Sequence, residues 1–341
     1  MSTAFESRCT ICIANYNGRT LLTDCIESIL SQGLGDRVEI IVHDDASTDD
    51  SVTFLREHYP QVRVIASEAN VGFCIGNNRM VAASRTPFVL LLNNDAALMP
   101  GALSALFDAS AATTDEQVLT LPQYDWQSGA LVDRGCLLDP FYNPVPNEDA
   151  STVEIAMTIG ACLWIRRAFW EEIGGFPAWM ESIGEDLYLC CVARLRGAQV
   201  RALATSGYRH WQGKTFGGNR AGDRSLSTTL RRRRLSERNK TFAMITCTPS
   251  ASVWLLLAFH LCILAIEGSA LALVRLNWQI FRDIYLAVPL ELIRQRRTLM
   301  AQRKANLAHR RVTPARYFSA FRLTPRKLTM LLRYGWPRVT R

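Results

Sequence analysis

The chain has 341 residues, 48% apolar and 21% charged, which allows a sizeable core and excludes wholesale disorder. Its formal charge of +8 is unevenly spread: Leu292 to Arg341 carry 14 Lys or Arg and no Asp or Glu, while the preceding residues carry 25 basic against 31 acidic side chains. A mildly acidic body with a strongly basic tail calls for an anionic partner of the tail, either nucleic acid or a membrane surface.

The first hundred residues alternate short apolar strands with helices. "TICIA" (10–14) reads as a strand and "TLLTDCIESILSQ" (20–32) as an amphipathic helix. "VEIIVH" (38–43) predicts a second strand, and the following acidic stretch predicts a helix capped by Ser47 or Thr48. "VRVI" (62–65), "GNNRMVAAS" (76–84) and the unbroken apolar run "FVLLL" (88–92) continue the pattern, and such a run suits a strand buried on both faces. Strand and helix alternating in this way give right-handed crossovers and a parallel sheet. After Pro100 the order predicts a helix at 101–110, a strand at 117–121, a polar stretch at 122–150, strand character over 153–167, a helix from Glu185 and a strand at 199–204. A Gly-rich loop, "GKTFGGNRAGDRS", then leads to an Arg-rich helix and an apolar last third.

The ten cysteines include Cys9 and Cys12, but a C-x-x-C inside a strand points its members to opposite faces, and no second pair follows at zinc spacing. They are expected to be small buried hydrophobes. The opening "MSTAFESRCT" lacks the basic and apolar regions of an export signal, so a cytoplasmic location is expected.

Ligands of open α/β sheets bind beyond the carboxyl ends of the strands. Asp44 and Asp45 end one strand and Asp95 follows another, although a buried strand gains nothing from a terminal carboxylate. A cation or hydrogen-bonding ligand would offset the desolvation cost, whereas Asp49 suits an ordinary helix cap. Glu185 and Asp186 are neighbours on a helix, project about 100° apart, and cannot both face one spot. His210, beside Trp211 at a strand end, is open to two readings, a metal ligand or a packed core histidine. Lys214, Arg220 and Arg224 lie among glycines in a loop that either folds over a diphosphate or is a solvated connection.

"ICIANYNG", "VHDDASTDDS", "NVGFCIGNNR", "LLLNNDA", "IGACLWIRRAFWEEIGGF", "GEDLYLCCVARLRGAQV" and "YRHWQGKTFGG" occur in the order seen in the inverting family 2 glycosyltransferases. Over about residues 8–240 the chain most resembles the rhamnosyltransferase-like enzymes of bacterial envelope glycans. The resemblance implies one Rossmann-like nucleotide-sugar-binding domain of the glycosyltransferase A type with a mixed central sheet, over residues 1–240. A helical, basic, membrane-associating region over 241–341 would follow. It implies that Asp44 accepts a hydrogen bond from a uracil or thymine imide, with Asn15 and Asn17 near the same nucleotide. Asn93 to Asp95 match an Asp-x-Asp-type element, so Asp95, with His210, would bind Mg²⁺ or Mn²⁺ bridging the donor phosphates. Many relatives have Asp where this chain has Asn93, which lowers the charge of the site but keeps an oxygen ligand. Asp186 matches the catalytic base of a Glu-Asp pair, leaving Glu185 as its support. The implied reaction moves a sugar, rhamnose favoured, from a dTDP- or UDP-sugar to a glycan, commonly lipid-linked. Two other readings compete. A sugar nucleotidyltransferase needs a Gly-rich phosphate loop after the first strand, where only Gly18 and Arg19 stand. A nucleic-acid-binding tail would use Tyr317, Phe318, Phe321, Tyr334 and Trp336 as stacking platforms, yet leaves Asp44, Asp95 and Asp186 unexplained.

The stretch 252–274 is long and apolar enough to cross a bilayer. Arg231–Arg234 before it and Arg294, Arg296 and Arg297 after it argue against one crossing, which would strand one basic cluster on the wrong side. A hairpin or surface-lying helix on the cytoplasmic face of the inner membrane is the expectation.

Overall fold

The computed structural model describes residues 8–211, 220–222 and 225–340. The described chain forms two compact units, which share it more finely than one cut at residue 240. The first takes residues up to Cys136, Pro146–Ser182 and Ala198–Trp211; the second takes Leu137–Val145, Ile183–Gly197 and the residues from 212 onward.

In the first unit, apolar runs become strands of a seven-stranded sheet. In chain order these are β1 (Cys9–Asn15), β2 (Val38–Asp44), β3 (Arg63–Ala66) and β4 (Phe88–Asn93). Between them run helices α1 (Arg19–Leu30), α2 (Ser51–His58) and α3 (Phe73–Ala83). All of Phe88–Leu92 is buried, as expected of a strand covered on both faces. Strand β1 lies parallel between β2 and β4, so the winding reverses beside it and opens a crevice at the carboxyl ends.

After strand β5 (Ala96–Leu98) and helix α4 (Ala102–Ala111) come β6 (Gln117–Thr120), β7 (Gln123–Asp125) and β8 (Leu131–Asp133). Strand β9 (Cys162–Arg166) precedes helix α5 (Arg167–Ile173). Strand β9 runs antiparallel to β4 and β6, which makes the sheet mixed, as the family resemblance implies and the simple alternation does not. Strand β10 (Gln199–Ala202) completes the edge, parallel to β6. The strand expected over 153–167 shrinks to β9, because Glu154 and Met157 form isolated bridges to Arg201 and Cys136 instead of joining the ladder. The stretch 122–150, expected to be irregular, supplies β7 and β8. With β5 and β11 (Tyr208–His210) they make a second sheet in the order β5-β11-β7-β8.

Helix α2 begins at Ser51 rather than near Ser47 or Thr48. Those hydroxyl residues are held elsewhere: Asp44 accepts from the Ser47 amide and hydroxyl, and Asn17 accepts from the Thr48 amide. The N-cap position falls on Asp50, which makes no side-chain cap bond, while Asp49, one residue earlier, accepts from the Ser51 amide.

The second unit is helical: α6 (Glu185–Leu195), α7 (Leu230–Cys247), α8 (Val253–Val274), α9 (Ala287–Arg294), α10 (Arg296–Ala308) and α11 (Arg326–Tyr334). Within it β12 (Arg220–Gly222), β13 (Ser225–Thr229) and β14 (Arg338–Thr340) form a small sheet. A buried charge network joins three helices. Glu237 of α7 pairs with Lys240 at 2.6 Å and Lys327 at 2.7 Å, and Glu267 of α8 pairs with Lys327 at 2.5 Å and Arg233 at 2.6 Å. Tyr317 is fully buried and its hydroxyl meets that of Tyr142, while Phe318 and Phe321 pack edge-on to each other. Three aromatics offered as stacking platforms are therefore packing groups.

Candidate active site

At the crevice beside β1, the side chains at three strand ends bond to one another. Asn15, last in β1, donates from Nδ2 to Asp44 Oδ2 at 2.9 Å. Its Oδ1 accepts from Asn94 Nδ2 at 2.8 Å, which ties the end of β1 to the turn after β4. Asp44, last in β2, also accepts from the Ser47 amide at 3.0 Å and hydroxyl at 2.7 Å. Three donors fix the direction of this buried carboxylate. Asn17 is more peripheral: exposed and at φ 51, it shapes the turn through Thr48.

The same fit requires Gly18. A Cβ there would collide with Asn94 Nδ2 and lie 2.5 Å from Asn15 Oδ1. Gly18→Ala is therefore expected to break the Asn15–Asn94 bond and to destabilise by about 1–3 kcal/mol. Urea unfolding checks this, and a wild-type midpoint would show that the pocket has slack.

Asp95 follows β4 and is buried. The register of β11 against β5 sets His210 opposite Ala96, which brings His210 Nε2 to 3.1 Å from Asp95 Oδ1. Asn93 Nδ2 lies 3.5 Å from the same Nε2. Among the described residues His210 Nδ1 is buried with no hydrogen-bond partner. A carboxylate and an imidazole facing each other at 3.1 Å are ligand types that would hold Mg²⁺ or Mn²⁺. No third His, Cys, Asp or Glu joins them among the described residues. The remaining positions suit donor phosphates and water, the usual pattern for a phosphate-bound Mg²⁺.

Of three nearby residues, the sequence singles out Asp45 with Asp44 at the strand end and assigns no role to His43 or Asp133. Asp45 accepts from the Val71 and Gly72 amides at 2.6 and 2.9 Å and anchors the turn that leads into α3. His43 lies under the crevice against Ser67 at 3.1 Å, its pKa lowered mainly by burial. Burial pushes the Asp133 carboxyl up to about 6, against the pull of the Gly135 amide and the charge of His210. Nothing in the spacing flags Asp133.

Glu185 and Asp186 belong to the helical unit and open α6. The turn before them is left-handed twice over, at Ile183 (φ 67) and Gly184 (φ 99). A β-branched residue there is strained, and such strain persists where surroundings impose it. Asn239 of α7 does so by donating to the Ile183 carbonyl at 2.8 Å. Glu185 is buried, and its pKa rises to about 8, through burial first and the Asp186 charge second, with Arg232 opposing. Asp186 is half-buried and accepts from the Leu187 amide at 2.7 Å. The two neighbours thus differ in environment, Glu185 buried and Asp186 half-buried. Lys214 and Arg224 lie outside the described residues.

Residues 10–174 match the model of glycosyl transferase family 2. A chondroitin synthase of Escherichia coli is 36% identical over 102 residues, 29% of this chain and 15% of that protein. An N-acetylglucosaminyl-diphospho-decaprenol L-rhamnosyltransferase of Mycobacterium tuberculosis is 26% identical over 183 residues, 45% of this chain and 59% of the relative. The chain thus spans less than two thirds of the length of these curated relatives. The fold is similar to a mannosyltransferase from Pyrobaculum calidifontis, PcManGT, solved with GDP-Man and Mn²⁺, at a TM-score of 0.51 and 16% identity over 88% of this chain and 86% of that one. Residues 10–174 therefore match glycosyl transferase family 2, and the fold is of the glycosyltransferase A type.

Proposed function

We propose that the protein is an inverting glycosyltransferase that uses a nucleotide-diphosphate sugar, with a dTDP- or UDP-sugar as donor and rhamnose favoured. The acceptor would be a glycan of cell-envelope polysaccharide synthesis, carried on a lipid. The observation that carries this reading is the bonded set Asp44, Asn15, Asn94 and the adjoining Asp95–His210 pair at one switch point. A rhamnosyltransferase and a chondroitin synthase among the similar proteins support a sugar donor and a glycan product. The Mn²⁺ bound with GDP-Man in PcManGT supports a divalent ion.

In this reading Asp44 and Asn15 receive the base, and Asp95 and His210 hold Mg²⁺ or Mn²⁺, which when bound neutralises the charge growing on the departing diphosphate. Asp186 takes the proton from the acceptor hydroxyl. The acceptor oxygen bonds to the anomeric carbon as the carbon–diphosphate bond breaks, and the configuration inverts. Glu185, buried beside Asp186, keeps that helix end compact without adding a second full charge.

A thermal-shift screen of nucleotide sugars with and without Mn²⁺ tests the donor class, because binding energy appears directly as stabilisation. A dTDP- or UDP-sugar should raise the midpoint in a Mn²⁺-dependent way, by roughly 2.7 kcal/mol of stabilisation at a hundred times Kd. No response from any nucleotide sugar would end the proposal. Release of pyrophosphate from a sugar phosphate and a nucleoside triphosphate would replace it with nucleotidyl transfer.

A further inference from the structure

Helix α8 is apolar nearly all round: it buries Val253, Leu264, Leu271 and Ala272, and its outward face is apolar too. The side chains it buries include His260, whose Nε2 meets the Thr241 hydroxyl at 2.9 Å, and the inward-facing Glu267, bonded to Arg233, Lys327 and the Tyr285 hydroxyl. Its outer stripe is apolar: Leu255, Phe259, Ile266 and Leu273, at 78, 60, 71 and 65% exposure, follow helical spacing along the length. A surface helix of a soluble protein turns charged side chains outward, and on α8 the outward stripe has none. A second exposed apolar stripe follows in the chain, with Leu286, Leu290 and Ile293 one turn apart and 40, 57 and 62% exposed.

We propose that this face of the helical unit docks on an anionic lipid bilayer, with α8 lying along the interface and not crossing it. Length and composition alone would let Val253–Val274 cross. Crossing would strip Glu267 from Arg233 and Lys327 and leave a bare carboxylate in hydrocarbon, a cost the flat arrangement avoids. Trp254 near the start of α8 and Trp278, in the short helix after it, are 46 and 63% exposed, and exposed tryptophans suit the headgroup level. Arg294, Arg296 and Arg297 are exposed directly after the second stripe. The 14 basic and no acidic residues of 292–341 attract anionic headgroups. The same charge repels a second copy of the tail, which favours lipid over self-association as the cover of this face. Docking deepens the reading of a lipid-linked acceptor, since such an acceptor is met at that surface, but its test needs no substrate.

The full chain is sedimented with vesicles of phosphatidylglycerol and phosphatidylethanolamine, and with vesicles of phosphatidylcholine. Binding is expected to the anionic vesicles, to weaken with salt, and to fall roughly tenfold or more in Phe259→Ser/Ile266→Ser, whose sites are exposed. Circular dichroism melting of that variant should match wild type. Arg294→Gln/Arg296→Gln/Arg297→Gln should weaken anionic binding and flatten its salt dependence. Absence of wild-type binding overturns the proposal. So does a solution dimer that Phe259→Ser/Ile266→Ser dissociates without any vesicle binding, which would name a second copy as the cover. Wild-type protein that resists alkaline carbonate extraction overturns the flat arrangement in favour of a span. The donor screen is run on the same samples, so a failed donor reading and a failed docking surface are told apart.

Discussion

Asp95→Asn is expected to lower kcat/KM by about 10²- to 10³-fold, the size seen when one preorganised group facing a developing charge is removed. The substitution keeps volume and one oxygen but deletes the only formal charge in Asn93–Asn94–Asp95. A site that already holds an amide at Asn93 has little charge to spare, so the loss should be larger than where two carboxylates share the cation. The same variant should need more Mn²⁺ for half-maximal rate, because an amide oxygen is a weaker ligand than a carboxylate. His210 sits 3.1 Å from Asp95, so His210→Ala should move the Mn²⁺ titration in the same direction. Steady-state rates across a Mn²⁺ series measure this. A near-normal rate with an unmoved Mn²⁺ midpoint would remove Asp95 from the cation.

Asp186→Asn should cut turnover by about 10²- to 10⁴-fold, the usual contribution of a placed general base. Donor binding, read by thermal shift, should stay within about twofold, since the base acts on the acceptor hydroxyl. Glu185→Gln is the informative companion. With its pKa raised to about 8, Glu185 is largely neutral at pH 7, and glutamine copies its shape and charge. It should therefore keep most of the activity. If Glu185→Gln were dead and Asp186→Asn active, the roles would be reversed.

The parts of this fold that were legible in the sequence are those that follow from apolar runs. "FVLLL" reads as a buried strand because only a strand covered on both faces wants five apolar residues in succession. Asp44 and Asp95 stand out because each puts a carboxylate where burial makes one costly. The second sheet stayed hidden: β5, β7, β8 and β11 have three residues each, too short to show a period of two. So did Asn94, whose bond to Asn15 joins two neutral amides across neighbouring strands and leaves no spacing signal. Asn239 shapes the turn before Glu185 from more than fifty residues away, and Gly184 was the sole local sign that such a turn exists. The interleaved units were illegible for the same reason, because which helix α6 packs against is decided by tertiary contact.

That packing has a consequence for how the chain can be shortened. Helix α6, which bears Glu185 and Asp186, is seated by residues from the far end. Arg194 donates to the Tyr317 carbonyl at 3.0 Å, the Arg311 amide donates to the Leu195 carbonyl at 2.8 Å, and Asn306 donates to the Tyr188 hydroxyl at 3.2 Å. The basic tail is thus no detachable anchor hung on a finished enzyme. A stop codon or protease cut ahead of residue 292 would leave a buried guanidinium without its acceptors and let the proposed base drift. Loss of the terminus would silence the catalyst as well as free it from any surface.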